Sequence, residues 1–328
     1  MKQILIIGGG SIGERHVRCF QKTGRADVIL CDTNDDLRQR ISALYRLSNS
    51  FASLDEALTE GCDGAVICTP AQLHVPMAQR LAERRIATLI EKPLSISVHG
   101  VADLLTAVNA HRLPVSVAYV TRQHPALIEM KNALDSDAFG RPVQVVYTGG
   151  QHFPFYRPAY RDIYYTKHET GGGAIQDALT HVMNTAEWIV GPVTRLVADA
   201  EHCVLDGVNV EDTVHVVTRH SAILGSFSLN QHQPVSESRL TVVCERGAAR
   251  FEGHRSRWLS SSEPDGPWQV ENEFTLERDD LFVRQAHAFL DQLDADAPPA
   301  CTLDEALQTL KVCLAALDSV RTEQWVQI

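Results

Sequence analysis

At 328 residues the chain exceeds a typical single core, and its length predicts two domains. An apolar content of 44% with 22% charged residues is ordinary for a globular protein. The net charge of −11 argues against a nucleic-acid binder, which would present a basic face.

Residues 2–120 alternate short apolar runs with amphipathic stretches. The runs are Ile4–Ile7, Val28–Cys31, Ala65–Cys68, Thr88–Ile90 and Val115–Ala118, and helix-like segments lie near 12–23, 35–47, 53–60, 75–85 and 97–111. Continuous hydrophobic strands separated by helices predict a doubly wound, Rossmann-type parallel sheet covered on both faces. Lys2 with the apolar run behind it imitates a signal peptide, but the run stops at three glycines, too short for an export segment. No stretch approaches a membrane-spanning length. The eight cysteines include no C-x-x-C pair, so they read as reduced, mostly buried thiols of a cytoplasmic protein.

After about residue 120 the pattern changes. A helix-like segment at 123–135 leads into a strand, Val143–Tyr147, and a polar-aromatic loop precedes a helix near 173–190. From Arg195 to Phe251, strand-like runs with partial alternation predict a mostly antiparallel open sheet backed by helices, with one face left for a partner. Helices near 279–293 and 303–321 close the chain, with Asp296–Pro299 as the break between them. The expected organisation is α/β followed by α+β: domain 1–120 for the cofactor, domain 121–328 for substrate and oligomerisation.

Gly8-Gly9-Gly10-Ser11-Ile12-Gly13 fits G-x-G-x-x-G between the first strand and a helix. Gly8 permits the tight turn, Gly10 lets the backbone approach a pyrophosphate, and Gly13 lets helix pack on strand. The helix start at Ser11 and Ile12 offers N–H groups and a favourable dipole to phosphates. Asp32 ends the second strand nineteen residues past Gly13; its carboxylate can accept from ribose hydroxyls and repels a 2′-phosphate. The cofactor expected is therefore NAD rather than NADP, with capping of the next helix as the alternative role for Asp32. Thr69 and Pro70 close another strand at the same edge. His74 is either a nicotinamide neighbour or simply a helix N-terminal residue.

Glu91-Lys92-Pro93 follows the Thr88–Ile90 strand, and Asp177-x-x-x-His181 follows Gly171-Gly172-Gly173. Four residues of helical spacing put Asp177 and His181 on one face, and glycines permit close backbone approach by a ligand. Catalysis, a buried structural bond and a metal site are the three readings of that pair; no nearby His or Cys has a supporting ligand spacing, and no metal is expected. The segment Phe153–Tyr165 holds four of the seven tyrosines. Tyr156, Tyr160 and Tyr165 could stack on a sugar, and Arg157 and Arg161 could clamp an acidic group. Packing into the core or an oligomer interface is the alternative. Arg122 and His124 are weaker candidates for the same pocket.

With the glycine loop, Thr69-Pro70-x-x-x-His74, Glu91-Lys92-Pro93, Gly171-Gly172-Gly173-x-x-x-Asp177-x-x-x-His181 and Trp188-x-x-Gly191 taken together, the chain resembles the Gfo/Idh/MocA family of glucose–fructose oxidoreductase and inositol dehydrogenase over its full length. The resemblance implies metal-free chemistry, a homo-oligomer (dimer or tetramer), Glu91 and Lys92 at the cofactor, and Lys92 beside the nicotinamide and the reacting carbon. The Lys92–Pro93 peptide is often cis in such relatives. A lysine beside a cationic ring can exchange protons near neutral pH. The implied function is an NAD-dependent oxidoreductase acting on a sugar, polyol or cyclitol. His181 takes the hydroxyl proton while hydride leaves for NAD⁺, Lys92 bonds the same oxygen, and Asp177 orients substrate or histidine. Many relatives carry an aspartate where this chain has Asn184, a difference in local support or substrate choice rather than reaction class. A non-catalytic ligand sensor and a glycoside hydrolase using NAD transiently are the alternatives.

Overall fold

The computed structural model describes residues 1–295 and 297–328, and the chain divides into two compact units. The first begins with β1 (Lys2–Ile7), α1 (Ser11–Lys22), β2 (Ala26–Cys31), α2 (Asp35–Tyr45), β3 (Ser50–Phe51), α3 (Leu54–Glu60), β4 (Gly64–Ile67), α4 (His74–Glu83), β5 (Ala87–Ile90), α5 (Val101–His111) and β6 (Val115–Val117). The six strands are parallel in the order β3-β2-β1-β4-β5-β6, the doubly wound arrangement. Alternation within β1 shows why both faces are covered. Leu5 and Ile7 enter one core with Leu54, Val75 and Leu104, while Ile4 and Ile6 enter another with Val17 and Phe20. Asn34 caps α2 by accepting from the Leu37 N–H at 3.0 Å, and Ser53 caps α3 by accepting from the Glu56 N–H at 3.2 Å.

The second unit holds α6 (Pro125–Asp135), β7 (Pro142–Gly150), the short α7 (Phe153–Tyr156), α8 (Thr180–Val190), β8 (Arg195–Glu201), β9 (Thr213–His220), β10 (Ile223–Asn230), β11 (Glu237–Cys244), β12 (Gly247–Glu252), β13 (Arg257–Ser261) and β14 (Gln269–Glu273). With β15 (Val326–Gln327) they form a nine-stranded sheet, antiparallel except for the β7–β10 pair. Inward residues Val145, Val214, Val216 and Phe227 pack with Leu127, Met130, Leu179 and Met183 from the helices. On the opposite face, Val217 and Leu224 are each 43% exposed.

The chain then returns to the first unit. α9 (Asp280–Ala295) puts Ala286, Phe289 and Leu290 into the same core as Val17 and Phe20, and Arg18 on α1 grips Asp279 with bonds of 2.6 and 2.8 Å. Glu277–Leu307 therefore packs with residues 1–123, whereas the sequence pattern assigns 121–328 to one domain. The apolar face of α9 is complementary to α1, a fit that its amphipathic pattern alone does not reveal. α10 (Leu303–Thr322) places residues up to Leu307 in the first unit and the rest in the second. Asp296, the start of the expected break at Asp296–Pro299, lies outside the described residues. No helix among the described residues is long and apolar enough to cross a membrane.

Candidate active site

The glycine loop is shaped by contacts that admit no side chain at two of its positions. Gly8 has φ +99°, and a Cβ there would lie 2.9 Å from the Cys68 carbonyl oxygen. A Cβ on Gly13 would lie 1.8 Å from the Gly8 carbonyl oxygen, so helix and strand could not approach as they do. Gly10 is different: a Cβ there would meet nothing within 4 Å, so its clearance is unfilled by the protein. Gly10 is also the N-cap of α1 and provides no side-chain cap, leaving the helix dipole open to an anion at Ser11 and Ile12. A groove of about 340 Å³ runs beside Gly9, Gly10 and Ser11, with Leu37, Arg40 and Arg278 among its walls. A loop with this clearance, dipole and groove fits a dinucleotide.

Asp32 lies half-buried behind the loop. One carboxylate oxygen accepts from the Gly9 N–H at 2.5 Å and the other from the Asn34 N–H at 2.8 Å. The cap of α2 is Asn34, so Asp32 is not spent on that role.

At the ends of β4 and β5, the polar residues turn inward more than their motifs suggest. Thr69 is half-buried and Pro70 exposed. His74 is 1% exposed, with Nδ1 2.9 Å from the Pro93 carbonyl oxygen and Nε2 2.8 Å from that of Thr69. Burial holds its pKa below the ordinary histidine value. It bridges the loops that follow β4 and β5. Glu91, expected at the cofactor, is 6% exposed; its Oε1 lies 2.7 Å from Nε2 of His16, and its Oε2 accepts from the Lys92 N–H at 3.1 Å. Burial raises the Glu91 carboxyl, but the His16 bond and the Lys92 charge outweigh it and hold it below the usual range. Lys92 is half-buried, and the Lys92–Pro93 peptide is cis.

In the second unit, the aromatic segment divides in two. Tyr160 and Tyr165 join Phe153, Leu205, Val208 and Val210 in a small core of their own. The Tyr160 hydroxyl donates to the Asp206 carbonyl at 2.7 Å, and Tyr165 donates to Gln231. Arg161 lies over the Tyr160 ring and donates to the same Asp206 carbonyl at 2.8 Å. Tyr160 and Tyr165 thus shape the loop from within, while the Arg161 side chain stays half-exposed above them. Tyr156 and Arg157 remain exposed. Arg122 is 4% exposed and bonds the Ala300 carbonyl and Glu305 at 3.0 and 2.7 Å, while His124 caps α6 and meets the Phe251 ring edge-on.

The glycine triplet also serves the protein's own packing. A Cβ on Gly172 would lie 2.1 Å from the Tyr165 carbonyl oxygen, and one on Gly173 2.6 Å from the Glu211 carboxylate. Glu211 accepts from the Ile175 N–H at 2.8 Å and lies 2.6 Å from Nε2 of His168, whose pKa it raises. Sequence reasoning misses this brace, because only the Gly173 spacing hints that a side chain must fit there. Ile175–Leu179 is a π-helical turn that runs into α8, a feature frequent at functional sites. Asp177 sits in that turn and His181 in the first turn of α8, both half-exposed. Tyr164, absent from the expected contacts, donates to Asp177 Oδ1 at 2.7 Å. Asn184 donates to Thr309, which donates in turn to Glu187, so it supports α8 from within. Among the described residues, no group of three or more His, Cys, Asp or Glu side chains could hold a metal ion.

Comparison with known proteins places these features in one family. The family model for the oxidoreductase family with an NAD-binding Rossmann fold matches residues 2–119, and that for the GFO/IDH/MocA C-terminal domain matches 127–250. An inositol 2-dehydrogenase of Rhizobium meliloti (strain 1021) is 22% identical over 334 residues, covering 98% of each chain. Levoglucosan dehydrogenase in complex with NADH superposes with a TM-score of 0.90 at 19% identity, over 100% of this chain and 99% of its own. The WlbA dehydrogenase of Bordetella pertussis, in complex with NADH and UDP-GlcNAcA, gives a TM-score of 0.84 at 22% identity, over 99% and 98%. The chain belongs to the GFO/IDH/MocA family of NAD-binding oxidoreductases.

Proposed function

We propose that this protein is an NAD(H)-dependent dehydrogenase or reductase of a sugar, polyol or cyclitol, with Lys92 and His181 handling the proton of the reacting hydroxyl. The observation that carries the reading is the position of Lys92. It follows β5 at the same carboxyl edge of the parallel sheet as Gly8 after β1, Asp32 after β2 and Thr69 after β4, the edge at which such sheets bind ligands. Gly8, Gly10, Ser11, Ile12, Gly13, Asp32 and Thr69 hold the cofactor. Bound NAD⁺ supplies the hydride acceptor. Lys92 bonds the substrate oxygen and stabilises its developing negative charge, His181 accepts the proton, and Asp177, steadied by Tyr164, orients substrate or histidine. The names of the similar proteins support a polyhydroxylated ring as substrate: an inositol, levoglucosan and a UDP-sugar acid. Tyr156, Arg157 and Arg161 are the exposed candidates for substrate contact. The protein works in the cytoplasm as a homo-oligomer, dimer or tetramer, and the open sheet face bearing Val217 and Leu224 supports that assembly.

The test is NADH absorbance with NAD⁺ across inositols, sugars, uronates and amino sugars. Loss of a substrate signal by about a hundredfold or more in both Lys92→Ala and His181→Ala is the expected result. Near-parental turnover in either variant would remove that residue from the chemistry.

A further inference from the structure

Glu91 is a buried carboxylate directly behind the candidate catalytic lysine. Its partner His16 lies on α1 and is 0% exposed, with the Phe282 ring edge-on at 5.6 Å. Nε2 of His16 faces Glu91 at 2.7 Å, and Nδ1 has no hydrogen-bond partner among the described residues. In this arrangement an Nε2–H of His16 donates to the Glu91 carboxylate. Glu91 is the acid of the pair, and its carboxyl is held below the usual range. Burying a carboxylate is costly unless its charge is used or compensated. A turn before a proline could have been built with an apolar side chain.

The residues flanking Lys92 are both fixed from within the protein. Glu91 is held by His16 and by its bond to the Lys92 N–H, and the Pro93 carbonyl is held by His74 at 2.9 Å. The charged and titratable groups around this turn include His16, Cys68, His74, Glu91 and Lys92. Glu91 is the acid bonded to the Lys92 backbone.

We propose that Glu91, bonded to His16, is a positioning residue and fixed counter-charge for Lys92, and that it sets the relative affinity of the site for oxidised and reduced nicotinamide. The inference rests on the reading above that Lys92 lies beside the nicotinamide. The ring of NAD⁺ carries a positive charge that NADH lacks. The Lys92 ammonium disfavours the oxidised form, and the Glu91 carboxylate behind it offsets that repulsion. A role confined to folding would change both affinities together. A charge role changes their ratio.

The experiment measures Kd for NADH by fluorescence and Kd for NAD⁺ by competition, on the full chain and its variants, without any substrate. Glu91→Gln keeps an acceptor for His16 and removes the charge, so Kd(NAD⁺)/Kd(NADH) should rise about three- to tenfold. Lys92→Met should lower the ratio. A ratio within about twofold of the parent in Glu91→Gln, beside a lowered ratio in Lys92→Met, would overturn the counter-charge while leaving the placement of Lys92 intact. An unchanged ratio in Lys92→Met would overturn that placement and the inference with it. Should Glu91→Gln not fold, the double variant His16→Leu/Glu91→Leu replaces the pair with apolar side chains and is read on the same ratio, with the same limits.

Discussion

Replacing Asp32 with alanine tests the cofactor assignment most directly. In the parent, a 2′-phosphate on the adenosine ribose would bring two like charges to about 4 Å, worth about 4 kcal/mol at an effective dielectric of 20. Asp32 is only half-buried, and solvent and salt reduce this by about half, leaving about 2 kcal/mol, or about thirtyfold in affinity. The arginines of α2 do not offset it. Arg38 is engaged by Asp35 at 2.6 Å and the Asp32 carbonyl at 2.9 Å, and Arg40 by Glu14 at 2.7 Å. Asp32→Ala removes the repulsion and also the acceptor for ribose hydroxyls, a charge-assisted bond worth about 1.5–3 kcal/mol. NADH should therefore bind about ten- to a hundredfold more weakly, while the preference for NADH over NADPH collapses toward unity. Fluorescence titration with both reduced cofactors reads the two effects separately. A parent protein that binds NADPH as tightly as NADH, or a variant that keeps the full preference, would refute the reasoning.

The loop glycines should separate fold from binding. Gly13→Ala forces a Cβ against the Gly8 carbonyl oxygen and should lower stability by about 1–3 kcal/mol in urea titration; Gly10→Ala, with clear space around it, should leave the unfolding midpoint nearly unchanged and weaken NADH binding. Equal midpoints for the two variants would contradict the packing argument. Asp279→Asn should make stability less pH-dependent. Its bond to Arg18 lowers the Asp279 pKa from 3.8 to about 2, so the carboxylate stabilises the fold above about pH 4 and loses that contribution as pH falls through about 2. Arg18 is a quarter exposed, which brings the effect at neutral pH to about 1–2 kcal/mol. A parent–variant difference in urea that is as large near pH 2 as at pH 7 would rule this out.

How far the sequence predicts the structure depends on what each pattern constrains. Strands such as Ile4–Ile7 and Ala65–Cys68 are legible because burial on both sheet faces demands continuous apolar residues. The two-residue β3 is not, since Ser50–Phe51 has no periodicity to detect. Glycine spacing predicts a close approach at the triplet but not what approaches, and the space near Gly172 is filled by the Tyr165 carbonyl. The π turn around Asp177 depends on i→i+5 bonding, for which no residue preference signals. Four tyrosines in one loop are alike in composition. Their division into buried Tyr160 and Tyr165 and exposed Tyr156 and Tyr164 is fixed by the apolar residues Leu205, Val208 and Val210 arriving from elsewhere in the chain.

The same reasoning explains why polar motif members are easily mistaken for ligand contacts. A polar side chain placed beside a functional strand end is either open to the ligand or buried, and if buried it must satisfy its hydrogen bonds within the protein. Glu91 does so on His16 and Arg122 on Glu305 with Ala300, while His74 lies between two carbonyls and donates to one of them as a neutral ring. Bonds already committed in this way hold backbone in place and are poorly suited to switching partners during a reaction. The half-exposed residues of the same motifs, Lys92, Asp177 and His181, are the ones the proposed reaction uses. Exposure, rather than membership of a motif, therefore separates the chemistry of this protein from the scaffold that positions it.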